Sequence, residues 1–118
     1  QIVQSVIDSG QAFNVIYAEN DDMAKGAVAA LDKANISHGV GKDVIVMGFD
    51  CNKWALEELL NQNWNYDGQC NPYQASYIED VIKKLESGEK IDEKTIIMDE
   101  KGFDATTITQ DDVDQFGI

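Results

Sequence analysis

The chain has 118 residues, room for one small domain, and at 43% hydrophobic and 26% charged it is too apolar for disorder. Twenty-two acidic against nine basic residues give a net charge of -13, a field that attracts neither nucleic acid nor an anionic membrane. No apolar run is long enough to span a bilayer, and two cysteines with one histidine make no zinc pattern, so neither a metal nor another cofactor is expected.

Ile2, Val3, Val6 and Ile7 lie at helical spacing, stopped by Ser9-Gly10. The opening residues carry no basic region and no signal-type apolar core, and they begin without methionine, already in a helical pattern. The expectation is an internal segment of a longer protein. Residues 13–18 predict a buried strand. From Asp21 the apolar positions Met23, Ala27, Val28, Leu31 and Ala34 predict a helix ending near Asn35. A glycine-rich loop over 37–42 leads into 44–49, a continuous apolar run of the kind found in parallel strands covered on both faces.

Leu56, Leu59 and Leu60 mark a helix over about 52–62, and 64–70 predict a weaker strand. Asn71-Pro72 reads as the start of the next helix, an amide at the cap and proline in the first turn. Tyr77, Ile78, Val81, Ile82 and Leu85 carry that helix to Gly88. Residues 95–98 predict a last short strand, and the tail from Thr106 is expected to be irregular or one short turn.

Alternation of strand and helix at this spacing implies an α/β fold, an open parallel sheet with right-handed crossovers and helices on both faces. Ligands of such sheets bind outside the carboxyl ends of the strands. Here those ends hold Asn20 with Asp21 and Asp22, then Asp50, then Gln69 with Asn71, all on one edge. Taken singly, Asn20, Asp21, Asn52 and Asn71 each read as a helix cap. Asp50 does not, because it follows a fully apolar strand and requires donors; Gln69 precedes its cap rather than occupying it. Together the three ends offer carboxylates and carboxamides, with no nucleophile and base in partnership and no phosphate-cradling glycine loop. Such groups accept and donate in pairs, which suits the neighbouring hydroxyls of a sugar.

The segments YAENDDMAKGAVAALDKA, KDVIVMGFD and GQCNPYQASYIEDVIKKLESGEKI resemble the C-terminal half of a type I substrate-binding protein, the periplasmic or lipoprotein sugar binders of bacterial ABC importers. The resemblance covers nearly the whole chain. It implies a non-enzymatic, extracytoplasmic protein that closes two lobes on a monosaccharide and presents it to a membrane permease. By this resemblance Asn20 and Asp50 are ligand-binding, with Gln69 or Asn71 as the third polar contact. It further implies that residues 1–70 belong to the C-terminal lobe, that 71–98 cross to the N-terminal lobe, and that 99–118 return. The N-terminal lobe would precede Gln1. A fragment lacking it is expected to self-associate through the helix after Pro72, or to leave that helix disordered. On this view Asn20 contacts ligand while Asp21 and Asp22 favour the positive end of their helix.

Two other classes fit parts of the pattern. The effector domain of a LacI-type repressor shares the fold, and Asp21, Asp22 and Asp50 resemble the magnesium pocket of a receiver domain, without the lysine and hydroxyl that class requires. Cys51 and Cys70 adjoin proposed ligand residues on neighbouring strand ends; a disulfide and two free thiols both remain open. Trp54, Trp64 and Tyr66 read as packing residues, and His38, in its glycine-rich loop, has no evident partner or role.

Overall fold

The computed structural model describes every residue except Glu93. The elements are α1 (Ile2–Asp8), β1 (Val15–Tyr17), α2 (Asp21–Lys33), β2 (Ile45–Asp50), α3 (Lys53–Leu60), β3 (Tyr66–Gln69), α4 (Ala75–Glu86), β4 (Gly102–Asp104) and α5 (Gln110–Phe116). They divide into two compact units, one of residues 1–70 with 101–118, the other of residues 71–100.

In the first unit the strands run in the order β1-β2-β3-β4, forming one sheet. β1, β2 and β3 are parallel, as the alternation with helices predicts, while β4 pairs antiparallel with β3. α2 shows how the sequence writes its own helix. The Asn20 side chain accepts from the Met23 amide at 2.8 Å, Asp21 and Asp22 occupy the positive first turn, and Lys33 lies in the last. Its buried stripe of Ala24, Ala27 and Leu31 packs on the strands. Alternate strand residues Ile16, Val46 and Phe103 face the same core, with Leu56 and Leu59 of α3 and Val113 of α5.

Trp64 is buried in that core and meets Trp54 edge-on at 5.8 Å, with Lys25 lying 4.4 Å above the Trp54 ring. Both tryptophans are therefore packing residues. His38 is not partnerless: Nδ1 lies 2.8 Å from the Asn63 carbonyl and Nε2 3.0 Å from Asp32 Oδ1, fastening the glycine-rich loop to α2 and to the segment before β3. The opposite face of the sheet presents Val15, Tyr17 and Ile45 exposed, and Met47, Phe49 and Tyr66 half-buried. The helices of this unit gather on the core face, because that is where the small and aliphatic strand residues point.

Three boundaries differ from the sequence expectation. Residues 95–98 form no strand, since their own unit offers no strand for them to pair with among the described residues. The last strand is instead β4, where Gly102 lets the Tyr66 phenol lie against the backbone; any Cβ there would collide with it. The tail is not irregular: α5 is held by a capping box in which the Thr109 side chain accepts from the Asp112 amide and Asp112 accepts from the Thr109 amide.

The third difference is at Asn71. α4 starts at Ala75, capped by Gln74 without a side-chain bond, so Asn71 is not its cap. Its Oδ1 accepts from the Tyr73 amide at 2.8 Å, bending the chain two residues on, as a short Asx turn does before a helix. In this second unit α4 buries no residue; Tyr77, Ile78, Val81 and Ile82 form an apolar groove with Ile96 and Met98.

Candidate ligand-binding edge

The carboxyl ends of the parallel strands set the candidate residues side by side. Asp50 closes β2 and is the direct register partner of Gln69, which closes β3. Asn20 follows β1, the neighbour of β2 on its other side. Asn20, Asp50 and Gln69 thus share one edge of one sheet. Asn71 falls in the second unit, where its backbone N–H donates to Glu100 Oε1 at 2.8 Å.

Each of the three keeps a different part of its hydrogen-bonding capacity. Asn20 spends its oxygen on the helix cap and retains the amide NH2. The Gln69 oxygen receives the Lys101 amide at a long 3.3 Å, leaving its NH2 without a partner among the described residues. The half-buried Asp50 carboxylate has no hydrogen-bond partner at all among them. Asp50 also holds φ 119, followed by Cys51 at φ 61, two consecutive non-glycine residues in the left-handed region. Such strain costs on the order of 1–3 kcal/mol per residue and persists where surrounding structure over-determines it, commonly at ligand sites.

What over-determines it is visible. The Ile118 amide donates to the Cys51 carbonyl at 3.1 Å, and the Lys53 amide donates to the Ile118 carbonyl at 3.0 Å, so the chain end straps the turn between β2 and α3. From below, Asp21 Oδ2 accepts both the Asn52 backbone N–H at 2.8 Å and the Asn52 side-chain NH2 at 3.1 Å. Asp21 is fully buried, so it does more than favour its own helix end. It tethers the turn after β1 to the turn after β2. Asp22, by contrast, points to solvent. The two do not join Asp50 in a cation pocket, and no cluster of His, Cys, Asp and Glu suited to a metal is found among the described residues.

Sequence reasoning missed Asp67. It lies in β3, is fully buried, and accepts the Cys51 thiol at 3.8 Å. Burial pushes its carboxyl up to about 8, helped by the hydrogen bond and charge of Asp21; burial also raises Asp21 itself. The Cys51 thiol is pushed up strongly by burial and then by the Asp67 charge, which keeps it neutral and inert. Cys51 and Cys70 are both free, the first buried and the second exposed, so the disulfide alternative falls away. The only signal for Asp67 in the sequence is an acid within a strand, a residue type rarely placed there.

No family model matches the chain. The fructose import binding protein of Bifidobacterium longum is 33% identical over 92 residues, 78% of this chain and 27% of that protein. The ribose import binding protein of Bacillus subtilis is 33% identical over 61 residues, 52% of this chain and 18% of that protein. The chain is related to bacterial sugar-import binding proteins. A crystal structure from Mycobacterium smegmatis in complex with β-D-fucofuranose is 27% identical with a TM-score of 0.76, over 90% of this chain and 34% of that one. A galactofuranose-binding protein superposes with a TM-score of 0.83 over 98% of this chain and 39% of its own; at 21% identity it speaks for the fold alone. The fold is that of type I periplasmic binding proteins. The chain spans 27% or less of the length of these two curated relatives.

Proposed function

We propose that this chain is the C-terminal portion of an extracytoplasmic sugar-binding protein, which takes a monosaccharide between two lobes and passes it to an ABC transporter permease. It acts as a binder, not an enzyme. In this reading residues 1–70 and 99–118 belong to the C-terminal lobe, and 71–98 cross to the N-terminal lobe, whose surface would cover the apolar side of α4. Asn20 and Gln69 offer NH2 donors to sugar oxygens, and Asp50 accepts from two adjacent hydroxyls. The observation that carries the proposal is Asp50: a carboxylate without a hydrogen-bond partner, on a strained and doubly strapped turn, in register beside Gln69. Its relatives include ribose and fructose import binding proteins, which makes a furanose or pyranose monosaccharide the ligand class.

Among the described residues no helix is long and apolar enough to cross a membrane. The test is calorimetry of the full-length protein with a panel of D-ribose, D-fructose, D-galactose and L-arabinose. Affinity for one of them in the micromolar range or tighter, about -8 kcal/mol or better, is expected of a closed cleft. Absence of binding across the panel and across furanose analogues would overturn the reading.

A further inference from the structure

Two fully buried carboxyl groups, Asp21 of α2 and Asp67 of β3, lie beneath the turn that carries Asp50. Asp67 is the register partner of Gly48, and a Cβ on Gly48 would stand 2.6 Å from Asp21 Oδ1. The missing carbon makes room for the two side chains to meet. Asp21 Oδ1 and Asp67 Oδ2 are both buried without a hydrogen-bond partner among the described residues, and each carboxyl acts on the other's titration. Carboxylates are acceptors only, so this contact requires a proton. Asp21 has two Asn52 donors and a helix start to hold its negative charge, whereas Asp67 has the weak Cys51 thiol and the Cys51 backbone. The proton therefore sits on Asp67 and is donated to Asp21.

We propose that Asp67 is a positioning residue: the proton it shares with Asp21 keeps Asp21 bonded to Asn52, holds the β2–α3 turn in place, and so fixes Asp50 at the edge. The consequence for affinity rests on the reading of that edge as a sugar site; the proton-linked turn does not. Loss of the proton leaves two buried negative charges in contact, with Asp50 a third nearby. Their repulsion is relieved by releasing the strained Asp50–Cys51 backbone, which moves the ligand carboxylate. The groups that face the pair offer no relief. Cys51 stays neutral, Trp64 is the other side chain against Gly48, and the buried core of this unit is otherwise apolar. Lys53, the first residue of α3, reaches instead to Asp114 at the surface, 3.4 Å away.

The test is an NMR titration of the sugar-free protein, following the backbone and side-chain amide resonances of Asn52 between about pH 6 and about pH 10. A single step on the alkaline side is expected in the wild type. It should vanish in Asp67→Asn, which should hold the low-pH position throughout, and move to lower pH in Asp21→Asn, which keeps an acceptor for Asn52 while removing one charge. A purely structural role would lower stability without abolishing the step. No step in the wild type, or a step that survives in Asp67→Asn, overturns the proposal. Affinity for the sugar identified by calorimetry should fall about tenfold or more across the same range and become flat in Asp67→Asn. Because the titration uses no sugar, failure of the sugar reading and failure of this proposal are separate results.

Discussion

At the scale of single residues, the resemblance leaves Gln69 or Asn71 as the third polar contact, and the sequence favours Gln69 because Asn71, before Pro72, reads as a helix cap. The structure sets Gln69 on the edge in register with Asp50, and Asn71 in the second unit with its Oδ1 accepting from the Tyr73 amide. In the full-length protein, Gln69→Ala is expected to cost affinity roughly tenfold, about 1.4 kcal/mol, by removing a donor in a closed site. Asn71→Ala should leave affinity within twofold and lower stability by only about 0.5 kcal/mol, because its turn is largely exposed. Calorimetry and thermal melting of the two variants decide this, and the opposite pattern would move the third contact to Asn71. Stability also carries a signature of Asp67. Its folded pKa is raised to about 8, while an unfolded aspartate sits near 3.9. The folded state therefore binds the extra proton between those values. Stability is fully present below the unfolded pKa, declines as pH rises through the window, and levels off above the folded pKa. Thermal melts should show Tm falling from about pH 5 to about pH 8, with a much flatter profile in Asp67→Asn.

Among elements, α2 and β2 were legible in sequence because periodicity, caps and charge agree, and the strand ends followed from where the apolar runs stop. α5 was not. Its seven residues are mostly polar and bury Val113 alone, so no stripe announces it; the signal was Thr109 with Asp112 three positions on, a capping box without a long apolar run behind it. Thr109→Ala should lower stability by about 1 kcal/mol in chemical denaturation, while Thr109→Ser should retain most of it. An Ala variant as stable as wild type would remove α5 from the strapping of the edge. β4 escaped for a different reason: three residues around Gly102 become a strand only because β3 supplies a partner and Tyr66 a lid. Residues 95–98, of stronger strand composition, form none for want of that partner. Asp67 was invisible on similar grounds, since its burial comes from α2 and the β2–α3 turn closing over it, which no local pattern encodes.

For the whole molecule, 118 residues leave apolar surface in two places: the uncovered sheet face around Tyr17 and Phe49, and the length of α4 with Tyr77, Ile78 and Ile82. Chains seldom leave such patches open in water. Expressed alone, this stretch should associate in a concentration-dependent way, seen as a rising sedimentation coefficient between micromolar and hundred-micromolar loading; a strict monomer over that range would contradict the proposal that these faces are covered by more of the same protein. Sugar binding by the stretch alone should be millimolar or weaker, about 4 kcal/mol or less, because its polar edge would face water on one side.

The central claim is that the strand-end edge binds sugar through Asp50. Calorimetry of the full-length protein, wild type against Asp50→Ala, tests it most directly, with circular dichroism to show that both are folded. The account predicts that the wild type binds its sugar and that the variant, folded to the same extent, loses several kcal/mol of binding free energy, since hydroxyls in a closed cleft would lose a charged acceptor. A folded Asp50→Ala protein that binds the same sugar with wild-type affinity would contradict it.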